Sequence, residues 1–127
     1  MNKNYAADNA AWVAEQNDGC ACTQDGAGVR PHRSVGVDET QGRFADVDLA
    51  RCAVCGAVYL RYAVEYEGFS ESGRWAMCMV KPGLEGVITP KVAAAVLDAA
   101  PWHIYGGSYW GHSGRRGTGA LRWGIAG

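Results

Sequence analysis

Arg51-Cys52-Ala53-Val54-Cys55-Gly56-Ala57-Val58-Tyr59-Leu60-Arg61-Tyr62-Ala63-Val64-Glu65-Tyr66-Glu67 joins a Cys-x-x-Cys-Gly turn to the strongest period-two pattern in the chain. Val58, Leu60, Tyr62, Val64 and Tyr66 alternate with Tyr59, Arg61, Ala63, Glu65 and Glu67, which predicts a β-strand. Upstream, Ala45, Val47 and Leu49 alternate with Asp46, Asp48 and Ala50, as in a strand with one wet face. Downstream, residues 68–73 read as a turn and Trp75-Ala76-Met77-Cys78-Met79-Val80 as a further strand. Short connections between consecutive strands imply a three-stranded antiparallel meander.

Outside this sheet the periodicity becomes helical. Tyr5, Trp12 and Val13, with alanines between them, predict an N-terminal helix over residues 5–17, stopped by Asn17-Asp18-Gly19. Thr89-Pro90 predicts a helix start, with Thr able to cap and Pro at the first helical position. Val92, Ala93, Val96, Leu97 and Ala100 recur at three- and four-residue spacing, so residues 89–100 form a helix packed on the sheet and ended by Pro101. Residues 23–43 contain Pro31 and four glycines and show no sustained period, which reads as a long loop pinned by something. Trp102-His103-Ile104-Tyr105 suggests a short strand, and residues 101–127 a Gly- and aromatic-rich closing segment that is ordered. The expected architecture is α+β, one domain over residues 1–127.

Lys and Arg total 12 against 13 Asp and Glu, a net charge of −1, whereas polyanion binders are usually far more basic. No apolar run approaches the ~20 residues needed to cross a bilayer. The Ala-rich start is broken by Asp8, Asn9 and Glu15 and lacks the apolar centre of an export signal. A cytoplasmic protein without a membrane partner is the expectation.

Four of the five cysteines form close pairs, Cys20-Ala21-Cys22 and Cys52-Ala53-Val54-Cys55. Zn²⁺ prefers four tetrahedral ligands and takes thiolates readily in a reducing compartment. A Cys-x-x-Cys turn presents two sulfurs to one ion, and a following Gly lets the backbone fold back with its N–H groups toward them. These residues resemble a zinc ribbon: Cys52-x-x-Cys55-Gly56 before an aromatic strand is similar to one knuckle, and Cys20-x-Cys22 occupies the place of the other. The resemblance covers residues 20–80. It implies one structural Zn²⁺ on Cys20, Cys22, Cys52 and Cys55, holding loops against a small antiparallel sheet. The first knuckle has one intervening residue where two are usual, so His32, or else Cys78, is the alternative fourth ligand. Spacing alone also admits iron on four thiolates. Structural zinc contributes roughly 10–16 kcal/mol of apparent binding free energy in small peptides. Closing a loop the length of residues 23–51 costs only about a few kcal/mol, since that cost grows logarithmically.

Catalytic signatures are sparse. The only histidine upstream of Cys52 lies in His32-Arg33-Ser34, without the His-x-Glu of zinc deaminases. His-Glu-x-x-His, a Walker loop and Gly-x-Ser-x-Gly do not occur. The Gly106–Gly117 segment, with Ser108, His112, Arg115 and Arg116, is a candidate anion-binding loop. Against it stands the plainer reading that its glycines serve turns and its arginines face water or an acidic strand. The five tryptophans and six tyrosines belong mostly to the core, and any left outside suit an interface. The favoured function is therefore a non-catalytic protein-interaction, adaptor or immunity-type module with structural zinc. The alternatives are a nucleic-acid-binding ribbon, using Arg30, Arg33, Arg115, Arg116 and Arg122, and a metal-dependent enzyme using His112 and the Gly106–Gly117 loop.

Overall fold

The computed structural model describes residues 4–16, 19–40, 44–64, 74–107 and 114–118. The elements run α1 (Tyr5–Ala14), α2 (Cys22–Asp25), β1 (Val29–Asp38), β2 (Ala45–Cys52), β3 (Val58–Val64), β4 (Arg74–Met79), α3 (Pro90–Ala99), β5 (His103–Gly107) and β6 (Arg115–Gly117). The strands form one six-stranded sheet in chain order, every neighbour antiparallel. The predicted three-stranded meander is its centre, β2–β3–β4, and the sheet is wider by a strand on one side and two on the other.

The strand missed on the first side is β1, which replaces most of the predicted loop. Its pairing with β2 shifts between Pro31 and Arg33 and again between Ser34 and Gly36. Each bulge resets which face the side chains take, so no alternation survives for the sequence to display. Pro31, the exposed Arg30, His32 and Arg33, and the bulges also blunt an edge that would otherwise recruit another strand. On the far side, β6 is three residues of a Gly-rich segment, too short for a pattern. The predicted turn at 68–73, and most of the closing segment, lie outside the described residues.

β2 keeps the wet face expected of it at the exposed Asp46 and the half-buried Asp48, although Ala50 is buried, while the centre of the sheet is covered on both faces. Along β3, Tyr59, Leu60, Arg61 and Tyr62 are all buried. Because successive strand residues point oppositely, they serve two cores. The first joins Val47, Leu49, Leu60, Tyr62, Val64 and Cys78 to Ala93, Val96 and Leu97 of α3. Cys78 is there a small apolar residue, its thiol pushed up to about 12 by burial. The second core joins Val13, Cys22, Cys52, Tyr59, Trp75, Met77, Met79, Trp102 and Ile104. Arg61 enters that second face as a fork on Asp48, its cross-strand neighbour, with Nε–Oδ1 2.6 Å and Nη2–Oδ2 2.8 Å.

Helix boundaries follow local chemistry. The Asn4 side chain accepts from the Ala7 N–H and starts α1, which closes at Ala14, before the predicted stop. Pro90 opens α3 as predicted, but the Thr89 side chain makes no cap bond; its carbonyl instead accepts from Val92 and Ala93 N–H. Asn9 ties α1 to the sheet. Past Met77, β4 no longer pairs with β5, and there Asn9 Nδ2 donates to Met79 O (2.9 Å) while Lys81 N–H donates to Asn9 Oδ1 (2.7 Å). No helix among the described residues is long and apolar enough to cross a membrane.

The segment 20–28 lies flat on the second face. Gly26 ends α2 at φ +81, and a Cβ there would stand 2.4 Å from Met77 Cε. Gly26→Ala puts a Cβ on a left-handed backbone, while the Met77 methyl at the end of its flexible side chain can give way, and the change is expected to lower stability by about 1–2 kcal/mol. Urea midpoints of the two proteins measure it; equal midpoints would mean that the left-handed turn at Gly26 is not held in the folded protein.

Candidate metal centre

Cys52 ends β2, and the chain reverses through residues 53–56, with Gly56 at φ +78. Gly56 N–H donates to Cys52 O and Cys52 N–H to Ala57 O, both at 2.9 Å, which closes the turn. Its inner N–H groups face sulfur: Val54 N–H lies 3.4 Å and Cys55 N–H 3.5 Å from Cys52 Sγ. The Cys55 thiol takes a backbone hydrogen bond at Ala57.

β1 brings the other pair of cysteines to this turn. Val29 sits opposite Cys52, and Ala53 N–H donates to Gly28 O at 2.9 Å, so the two knuckles are tied by backbone as well as by register. Cys20 Sγ and Cys52 Sγ stand 3.8 Å apart, and Cys22 Sγ and Cys55 Sγ 3.7 Å. All four sulfurs lie within 4.8 Å of one another. A tetrahedron with metal–sulfur bonds of ~2.3 Å has edges of ~3.8 Å. The four thiols thus cluster closely enough to hold one metal ion, and two of their separations match that edge.

The surroundings are uneven. Cys22 and Cys52 are buried, Cys20 is half-buried and Cys55 exposed. Burial raises the Cys52 thiol, but the N–H groups of Cys55 and Val54 together with hydrogen bonds from the Cys55 and Cys22 thiols outweigh it and leave the group at about 7. Burial raises Cys22, and the hydroxyl of Tyr59, donating to its sulfur at 3.1 Å, only partly offsets this. Burial also raises Cys55. Thiols raised in this way must shed protons to ligate, so protons compete with the metal. Zinc affinity is expected to fall steadily from pH 8 to pH 6 in chelator-competition titrations; a flat profile would exclude thiolate ligation.

The first knuckle is buttressed from the far edge of the sheet. Arg116 lies over the Trp102 ring, with its guanidinium carbon 4.3 Å from the ring centroid, and donates from Nη1 to Thr23 O at 3.1 Å. Gly114 N–H donates to Asp25 O at 3.1 Å. Arg116, expected in an anion-binding loop, is thus committed to holding the cysteine segment in place. Arg115 is exposed beside it, whereas Ser108 and His112 lie outside the described residues. His32 stands exposed in a β1 bulge and is not one of the clustered ligands, and Cys78 lies in the first core, on the opposite face. Arg30 and Arg33 lie on β1 and Arg115 and Arg116 on β6, the two outer strands of the sheet, so these arginines do not form one track.

Tyr59 was missed by sequence reasoning because an aromatic in an alternating strand reads simply as core. Its place four residues after Cys55 was the available signal. A groove of about 470 Å³ also runs along β1 and β2, lined by Pro31, Ser34, Val37, Asp46 and Asp48 among others. At the hairpin end Phe44 is 66% and Val37 49% exposed, and Phe44 holds a positive φ of 50. No protein-family model matches the chain, and comparison with curated proteins and with solved structures finds no match.

Proposed function

We propose that this protein is a non-catalytic binding module of the reducing cytoplasm, clamped by one structural Zn²⁺ on Cys20, Cys22, Cys52 and Cys55. The carrying observation is the four-sulfur cluster itself. Four thiolates fill every corner of a tetrahedral ion, whereas a catalytic zinc keeps one position for water or substrate. The clamp joins the start of β1 to the end of β2 and presses residues 20–28 onto the second core.

The proposed working surface is the β1–β2 hairpin end, where Phe44 and Val37 are exposed beside the groove. A Phe held at positive φ costs about 1–3 kcal/mol, the kind of strain retained where a side chain is presented for use. The expected partner is another protein, which Phe44 would anchor.

Native mass spectrometry of protein purified without chelator is expected to show one zinc per chain. A photo-crosslinking residue in place of Phe44 is expected to yield discrete adducts in cells, and one in place of the exposed Ala95 of α3 none. Metal-free protein would overturn the clamp, and identical crosslinking from both positions would overturn the surface.

A further inference from the structure

The two knuckles satisfy their sulfurs differently. In the second, backbone N–H groups turn inward to sulfur, at Cys52 from Val54 and Cys55. In the first, the backbone is spent elsewhere. Thr23 N–H donates to Cys20 O, Gln24 and Asp25 N–H to Ala21 O, and Gly26 N–H to Cys22 O. This follows from the Cys-x-Cys spacing, which starts the helical turn of α2 at Cys22 itself. The N–H groups that would reach back to a sulfur close that turn instead. Cys22 is nevertheless fully buried, and a buried thiolate without a donor is costly.

The donor comes from across the sheet. Tyr59, 0% exposed on β3, extends through the second core and places its hydroxyl 3.1 Å from Cys22 Sγ. Its ring packs among Met77, Met79, Trp75 and Cys52, so the hydroxyl has little freedom to turn away.

We infer that Tyr59 is a positioning residue of the metal centre: its hydroxyl fixes Cys22 Sγ and replaces the backbone donors that the one-residue knuckle cannot supply. This rests on the proposed four-thiolate site. The hydroxyl draws electron density from that sulfur and holds it at the tetrahedral corner, so it sets both the affinity and the electronic character of the ion. Partners of this kind commonly change metal affinity by roughly 10–100-fold.

The test loads wild type and Tyr59→Phe with Co²⁺ and records the sulfur-to-cobalt charge-transfer band together with affinity by zinc competition. Removing the donor makes Cys22 easier to oxidise, so the band is expected to move to lower energy in Tyr59→Phe, with affinity down roughly 10–100-fold. Met77→Leu, a neighbour in the same core, is expected to leave the band in place. If Tyr59→Phe does not fold, 3-fluorotyrosine in place of Tyr59 keeps the shape with a more acidic hydroxyl, and the band is expected to move to higher energy. An unmoved band in whichever variant folds overturns the role of Tyr59. Failure of wild type to bind Co²⁺ at all overturns the four-thiolate site instead, so the two failures are distinct.

Discussion

Cys22→Ser is expected to abolish tight zinc binding and to free residues 20–28 and 52–57 from the sheet. Cys22 is the most deeply buried ligand, and it links the first knuckle to Cys55, to Tyr59 and to the second core. Removing it takes away most of an apparent binding free energy of roughly 10–16 kcal/mol. Amide exchange locates the loss. The amides of Gly26, bonded to Cys22 O, and of Ala53, bonded to Gly28 O, are expected to lose protection. Those of α3 on the first core should keep it, because that core contains none of the four ligands. Removing zinc from wild type with a strong chelator should reproduce the pattern. Unchanged protection of Gly26 and Ala53 in both experiments would mean that packing alone holds the knuckles together.

Asn9→Ala is expected to be the most damaging substitution away from the cysteines. The side chain is completely buried and acts as one more rung of the ladder beyond Met77 and Ile104, the last pair of β4 and β5. Truncation strips partners from Met79 O and Lys81 N–H together, and leaving buried polar groups unpaired costs about 1–3 kcal/mol each. A loss of about 2–5 kcal/mol in urea unfolding of the zinc-loaded protein is the expected result. A loss under about 1 kcal/mol would show that water replaces the amide at no great cost and that α1 is not anchored there.

Both effects originate in features of very different visibility. The strands β2, β3 and β4 were legible because their alternation is uninterrupted, and α3 because Pro90 and Pro101 bracket a helical period. β1 was not, since two bulges erase the alternation over ten residues otherwise compatible with a strand. The cysteines of the cluster were legible in the close spacing within each pair. Their convergence was not, because it depends on β1 running beside β2 and setting Val29 opposite Cys52. Asn9, Tyr59 and Arg116 act through contacts between elements far apart in the chain. Periodicity reports a residue's face, not the polar atom it meets there.

X-ray absorption at the zinc edge of the purified, fully loaded protein tests the clamp most directly. Four sulfur neighbours at ~2.3 Å are the expected result, as befits tetrahedral zinc thiolate. A shell containing nitrogen or oxygen would leave a cysteine unused and reopen a vacant or exchangeable position, contradicting a closed structural site.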